Sequence, residues 1–321
     1  MSSKARSRIA DRTFWAICLI AGIAVLAILG LILGSLISQS MPAFREAGLD
    51  MFTNTRWVPN DPDADGPAGP IYGLLAFAYG TVVVSIIALI FAVPVSLGIA
   101  LFLTELAPRR VRGTVVTFID LLASVPSVVF GLWGVLVVAP ALVPVYQWLH
   151  GTLGGIPVLG RLFGEAASGR NFMTAGIILA LMIVPIITSI SREVFDTVPD
   201  SDKQAAWALG ATRWEMIKGS VLPHSFGGVV GAIMLGLGRA MGETILVALV
   251  MGSAVQITPN LFAGGYALPG AIVNLFGESS GTFTAVLMVM GVVLFVMTVL
   301  INLLARVIVR RAEVRMKGAT A

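Results

Sequence analysis

The sequence predicts an all-α, polytopic membrane protein with six transmembrane helices. Hydrophobic residues make up 57% of the 321 residues and charged residues only 12%, whereas a soluble domain carries about a quarter charged residues. Its uncharged runs reach or exceed the roughly 18–20 residues that a helix needs to cross a bilayer. These runs cover residues 13–44, 66–104, 121–160, 171–191, 219–238, 244–277 and 279–305.

The basic residues predict the orientation of these spans. With both termini in the cytoplasm, sixteen of the 21 Lys and Arg residues fall in cytoplasmic segments, four fall outside, and Arg239 falls within the membrane. Basic residues concentrate on the cytoplasmic side of membrane proteins, so this bias explains the net charge of +4 without a nucleic-acid partner. The cytoplasmic residues are Lys4, Arg6, Arg8, Arg12, Arg109, Arg110, Arg112, Arg192, Lys203, Arg213, Lys218, Arg306, Arg310, Arg311, Arg315 and Lys317.

Six spans can be placed in order along the chain. In the first, Gly30 and Gly34 have the spacing that lets two helices approach closely. The third region is too long for one span and contains Pro126, Pro140 and Pro144, so we expect one crossing followed by an interfacial or re-entrant helix. The six are expected at about 13–38, 73–103, within 113–149, and at 171–191, 225–252 and 283–306.

The loops on the outer side differ in composition. Residues 39–72 include an acidic stretch at 61–65, and their Pro and Gly content favours turns over a packed domain. A solvated loop is favoured here, with a docking surface for another protein as the alternative. Residues 259–280 are Gly-rich, with a short helix expected at 269–276. We divide the chain into an N-terminal helix and first outside loop at 1–70, a core at 71–310 and a cytoplasmic tail at 311–321.

A compact helix–turn–helix is predicted between the fourth and fifth spans, at residues 200–222. Asp200 or Ser201 can cap a first helix, and Gly210 can end it in the left-handed conformation. Thr212 and Glu215 have the spacing of a capping box. We expect this box to start a second helix that ends at Leu222-Pro223.

Exposed Trp207 and Trp214 on this small element would make good anchors for a groove on a partner protein. An interfacial loop with both indoles at the lipid headgroups is the alternative from composition. The predicted docking residues are Gln204, Ala205, Ala206, Trp207, Gly210, Thr212, Trp214 and Glu215.

Charged residues interrupt the predicted fifth span at Arg239 and Glu243. A mid-membrane arginine costs at least about 2.5–3.5 kcal/mol and should face a polar interior. Glu243 is four residues further on, which would put both on one helix face at ion-pair distance. The guanidinium matches a tetrahedral oxyanion, so we predict an oxyanion site. An interhelical ion pair that only fixes the bundle is the alternative.

The third region contains the run Ser124 to Gly134. A kinked helix that packs through Gly131 and Gly134 is the favoured interpretation from these residues alone. Ser124 and Ser127 would then bond the backbone carbonyls freed at Pro126, or else line a path.

The sequence offers no site for catalysis. It contains no Gly-x-x-x-x-Gly-Lys-Ser/Thr loop, the element that binds ATP phosphates. The predicted topology puts His150 and His224 on opposite sides of the membrane, and no Cys/His metal cluster is present. We therefore expect no cofactor and no enzymatic activity, and an intramembrane enzyme is disfavoured.

Taken together, these motifs resemble those of the phosphate-specific (Pst) ABC importer permeases, most closely their PstC-type subunits. The resemblance covers most of the chain. Gln204 replaces the Glu usual in the family, and Ser220 stands where an aliphatic residue is common. The matching segments are Trp57-Val-Pro, Tyr72-Gly, Tyr79-Gly-Thr81, Ser124 to Gly134, Ala208 to Glu215 and Gly238 to Thr244.

The resemblance implies a type I, MetI-like permease in the bacterial cytoplasmic membrane. It also implies a PstA-type second permease subunit, a PstB-type ATPase dimer docked on residues 200–222, and a PstS-type phosphate-binding protein outside. Inorganic phosphate would pass Arg239 and Glu243. A permease for sulfate, molybdate or another small solute is the nearest alternative, because its docking segment would look the same. A secondary transporter would not need such a segment.

Overall fold

The structure, a computed structural model, describes residues 3–59 and 70–318. The acidic stretch at 61–65 lies outside these residues. The helices are α1 (Ser3–Glu46), α2 (Leu75–Leu101), α3 (Arg109–Ser124), α4 (Ser127–Trp133), α5 (Ala139–Leu153), α6 (Leu159–Leu162), α7 (Phe172–Asp196), α8 (Asp200–Ala208), α9 (Arg213–Met216), α10 (Leu222–Met241), α11 (Ile245–Val250), α12 (Leu268–Phe276) and α13 (Thr282–Gly318). Wider, π-type turns continue three of these helices at Phe102–Leu106, Gly134–Val138 and Ile217–Val221.

Six helical stretches of the described chain are long and apolar enough to cross a membrane. This confirms the predicted all-α, six-span architecture, and the predicted short outer helix is α12. The stretches are Asp11–Glu46, Leu75–Leu106, Ser127–Leu153, Phe172–Asp196, Arg213–Met241 and Thr282–Val307.

The bundle is built around α2, α7 and α10. α7 has the most buried span of the six, and α2 packs along it. The Ser96 hydroxyl, near the C-terminal end of α2, donates to the Val184 carbonyl in the middle of α7 over 3.2 Å. α1 lies on α13 and otherwise presents its apolar surface outward. An apolar surface around an apolar core is expected of a protein whose outer side chains face the lipid of a bilayer.

One end of the bundle carries a small packed structure rather than turns alone. Strands β1 (Trp57–Val58) and β2 (Ile71–Tyr72) form an antiparallel hairpin. The Trp57 ring lies edge-on to the rings of Tyr72, Phe77 and Phe283. The expectation of a turn-rich loop without packing was therefore wrong for the residues that flank the acidic stretch. Aromatic burial outweighs local turn preference there. We call this end the loop end.

The third region breaks where the sequence indicated, but its order is the reverse of the prediction. α3 comes first and is largely exposed, and the span Ser127–Leu153 follows it. Val125 is extended between them because Pro126 disfavours a helical residue before it. Pro140 follows the π-type turn at Gly134–Val138, a local adjustment of the kind that accommodates a proline within a membrane helix. A re-entrant helix after the span is therefore not formed.

Candidate functional site

The predicted fifth span is broken in the middle. α10 ends at Met241, and the chain resumes as α11 at Ile245. The Glu243 carboxylate accepts a hydrogen bond from the Leu246 N–H over 3.4 Å and so contributes to capping α11. The expected continuous helix over 225–252 was wrong, because Gly242 and the residues after it leave the helical path.

The break opens a cavity of about 380 Å³. Arg239 and Glu243 both line it, and Ser127 and Thr244 add hydroxyl groups. Glu243 is only 7% exposed, whereas the Arg239 side chain is exposed on this chain. The guanidinium was expected to be buried. It faces an open groove instead, on a side of the bundle that this chain does not cover.

Arg239 and Glu243 share this cavity but do not form the predicted ion pair. Among the described residues the ion pairs are Arg112–Asp196 and Lys203–Glu105. The reason is the end of α10: a residue four positions further on shares a helix face only while the helix continues. Within the described part of the chain the guanidinium thus has no carboxylate partner.

Arg239 also lines a second, larger cavity of about 1,040 Å³ between α7, α10 and α13. Its α10 wall combines Gly227, Gly228 and Gly231 with the apolar side chains of Val230, Met234 and Leu235. Asn302 and Arg306 of α13 line the opposite wall. Sequence analysis missed these two residues, although their spacing of four puts them on one face of a helix. Arg239 thus lies at the junction of two cavities.

The run from Ser124 to Gly134 has features of both interpretations, helix packing through its glycines and a serine that lines a cavity. Gly134 contacts Ile178 and Val250, since a Cβ there would lie 2.5 Å from Ile178 Cδ1. Ser124 Oγ donates to the Leu121 carbonyl over 2.7 Å and satisfies the backbone before the break. Ser127 lines the smaller cavity. The run from 124 to 134 therefore packs the bundle and also supplies one wall of the site.

The segment at 200–222 has the predicted turn and capping box. Gly210 adopts a φ of 82° between α8 and α9, a conformation that favours glycine. The Thr212 hydroxyl accepts from the Glu215 N–H over 3.3 Å, and the Glu215 carboxylate accepts from the Thr212 N–H over 2.7 Å. These bonds fix the start of α9 at Thr212.

Two details of this segment differ from the prediction. Neither Asp200 nor Ser201 caps α8, because Pro199 occupies the capping position and no side chain bonds the first turn. The second helix does not end at Leu222-Pro223. A π-type turn at Ile217–Val221 carries α9 directly into α10, and Pro223 follows this turn, a local adjustment of the kind that accommodates a proline within a membrane helix.

Apolar side chains project from this segment at the end of the bundle opposite the loop end. Trp207 and Trp214 are exposed, as expected, and so are Gln204 and Ala205. Ala206 instead packs inward against a buried cluster that includes Phe195, Met216 and Ile217. Leu209, which sequence analysis passed over, is 89% exposed. The sequence feature that could have indicated this exposure is the position of Leu209 directly before the turn glycine, Gly210. We call residues 200–222 the docking segment.

The chain matches the family model described as "Binding-protein-dependent transport system inner membrane component" over residues 92–317. A relative from Xylella fastidiosa (strain Temecula1) is 41% identical over 270 residues, which is 84% of this chain and 81% of the relative. A relative from Mesorhizobium japonicum is 40% identical over 312 residues, 97% of this chain and 93% of the relative. Both relatives are named phosphate transport system permease protein PstC.

Solved structures show the same fold at low sequence identity. A chain of a bacterial alginate ABC transporter, in complex with a pentasaccharide-bound periplasmic protein, matches with a TM-score of 0.61 and 16% identity, over 96% of this chain and 97% of that one. A chain of the MetNI methionine ABC transporter, in an inward-facing conformation, matches with a TM-score of 0.56 and 17% identity, over 74% and 95%. The predicted MetI-like fold is confirmed.

Proposed function

This chain belongs to the binding-protein-dependent transport system inner membrane components, in their PstC phosphate permease branch, and we propose that it forms half of the phosphate path in an ATP-driven importer. A second permease subunit, of the PstA type, would supply the other half. The observation that carries the proposal is the position of Arg239 at the junction of two cavities. Its exposure on this chain supports a site completed by a partner.

The chemistry of the smaller cavity fits an oxyanion. A guanidinium presents a planar fork of donors that matches two oxygens of a tetrahedral anion. Ser127 and Thr244 are further hydrogen-bonding groups on its wall. Since Arg239 has no carboxylate partner among the described residues, an entering anion would not have to displace one.

Glu243 supports phosphate over sulfate. A carboxylate oxygen accepts hydrogen bonds, so Glu243 suits an anion that still carries a proton to donate. Phosphate keeps at least one proton at neutral pH, whereas sulfate keeps none. We therefore assign Glu243 the role of accepting a P–OH group while Arg239 binds the remaining oxygens.

The larger cavity supports a route toward the docking segment. Arg239, Asn302 and Arg306 are its polar lining residues, and the rest of its lining is apolar or glycine. In the importer that we propose, closure of a PstB-type ATPase dimer against Gln204, Ala205, Trp207 and the rest of the docking segment would move the bundle. The path would then open alternately to the two sides, as in rocking models of alternating access.

The remaining assignments follow from the same proposal. The core of 71–310 sits in the bacterial cytoplasmic membrane with both termini and the docking segment inside, in agreement with the positive-inside bias. A PstS-type binding protein delivers phosphate at the loop end. ATP is hydrolysed by the separate ATPase, so this chain is not itself an enzyme and needs no cofactor.

The test is uptake of radiolabelled phosphate by the complete complex in proteoliposomes, with sulfate and molybdate as competitors. We expect Arg239→Ala to abolish uptake while the complex still assembles. Glu243→Gln should reduce phosphate uptake and weaken discrimination against sulfate. Arg161→Ala, an exposed arginine outside both cavities, is the matched control and should transport normally.

Two results would contradict the proposal. If Arg239→Ala lowered uptake only in proportion to lost complex, the residue would be structural. If the wild-type complex carried sulfate or molybdate and left phosphate behind, the substrate would be another oxyanion.

A further inference from the structure

A buried ion pair connects the docking segment to the second span. The Lys203 ammonium of α8 lies 2.6 Å from the Glu105 carboxylate, which belongs to the π-type turn that continues α2. The two side chains are only 14% and 7% exposed. They are 98 residues apart in the sequence, so the pair joins two separate elements of the fold.

This pair is the strongest polar contact that α8 makes with the bundle. α8 contains no fully buried residue. Ala206 packs against the neighbouring apolar cluster but is itself only partly buried. A contact through one alanine side chain contributes little, because the free energy of burial scales with the apolar area removed from water.

The Glu105 side of the pair leads into a helix that runs to the opposite end of the molecule. α2 packs against α7 and α10 along its length. At the loop end, the Tyr79 hydroxyl donates to the Thr258 carbonyl over 2.6 Å. The Leu268 N–H donates to Thr81 Oγ1 over 2.9 Å. α2 therefore connects the docking segment with the loops at the far end.

Separating the two charges would be costly. A buried charge that loses its partner keeps its desolvation penalty without the compensating attraction. A displacement of α8 that left Glu105 in place would remove the partner of this carboxylate, which is the more buried of the two groups. The lower-energy response is for α8 and the end of α2 to move together.

We propose that Lys203 and Glu105 are positioning residues that transmit movement of the docking segment to α2. This path is separate from the covalent one, in which α9 runs through a π-type turn into α10. α10 carries Arg239 and α2 carries the contacts to the loop end, so one displacement would act on both. The inference rests on the proposed function, because only an ATPase partner supplies the displacement.

The test uses charge reversal in the complete complex, reconstituted in proteoliposomes. Lys203→Glu and Glu105→Lys should each lower phosphate uptake per assembled complex by about tenfold or more, because each places like charges in contact. ATPase binding should persist, so that the ATP hydrolysed per phosphate transported rises. The double variant restores opposite charges and should recover uptake, a coupling that a double-mutant cycle measures.

The surface pair Arg112–Asp196, also 2.6 Å apart, provides a matched control because its side chains are 39% and 45% exposed. Exposed ion pairs contribute little, so Arg112→Glu and Asp196→Arg should leave the ATP-to-phosphate ratio unchanged. If the charge reversals prevent insertion, the neutral variants Lys203→Gln and Glu105→Gln give the same measurement.

The possible results distinguish failure of this inference from failure of the proposed function. An unchanged ATP-to-phosphate ratio in the Lys203 and Glu105 variants would overturn the inference, even if less complex assembled, because the pair would then be a structural tie only. Failure of the double variant to recover any uptake would also overturn it. If the wild-type complex failed to take up phosphate at all, the proposed function would fall and the inference with it.

Discussion

Leu209 is the residue on which the proposed docking surface can be tested most sharply. It is 89% exposed, so nearly all of its side chain remains to be buried by a partner. Leu209→Ala removes three carbon groups, each worth about 0.8 kcal/mol when transferred from water to an apolar contact. We expect a loss of about 2 kcal/mol of docking free energy per segment, which corresponds to about 30-fold weaker binding.

The assay is the equilibrium affinity of the ATPase for the permease pair held in lipid nanodiscs, without nucleotide. Leu49→Ala is a matched control, because Leu49 is 72% exposed and lies at the loop end. It should bind the ATPase like the wild type. An affinity for Leu209→Ala within twofold of the control would contradict the proposed burial of Leu209 by the ATPase. The most exposed leucine of the segment would then lie outside the interface.

Three further predictions concern the docking segment and the packing of α2. Thr212→Ala removes the side-chain half of the capping box, worth about 1 kcal/mol, and should speed amide hydrogen exchange in the second helix of the docking segment about fivefold. Gly210→Pro removes a donor and requires a negative φ where the chain has 82°, so a pull-down should recover less ATPase while membrane insertion stays normal; full recovery would contradict this. Gly80→Ala would put a Cβ 2.1 Å from the Tyr266 carbonyl oxygen and should destabilise the bundle by about 1–3 kcal/mol. Gly98→Ala, in the same helix with open space around it, should not lower the thermal unfolding midpoint.

Much of this architecture could be predicted because a bilayer imposes strict length and polarity rules. A run such as 171–191 has to be a helix of the observed length, since lipid offers no other partner for its backbone. The capping box at Thr212 and the left-handed Gly210 are also local signals that depend on few distant contacts. The exposure of Trp207 and Trp214 followed from those local elements.

The errors arose where distant contacts decide the outcome. Glu243 was placed on a continuing helix, but α10 ends at Met241 and the carboxylate bonds the N–H of Leu246 instead. Helix periodicity cannot detect such an end, because Gly242 is also tolerated inside membrane helices. The ion pair of Lys203 with Glu105 joins residues 98 positions apart, and nothing local in either segment indicates the other.

In the importer proposed above, Arg239 faces a solute route whose access changes with nucleotide. Cys18 is the only cysteine of the chain, so Cys18→Ser gives a background in which Arg239→Cys carries a single thiol. The decisive measurement is the rate at which a membrane-impermeant, anionic thiol reagent modifies that thiol in the complete complex. We expect modification in the nucleotide-free complex and a rate at least about tenfold different when the ATPase dimer is closed on ATP. A thiol that never reacts, or that reacts at one rate in both states, would contradict this proposal.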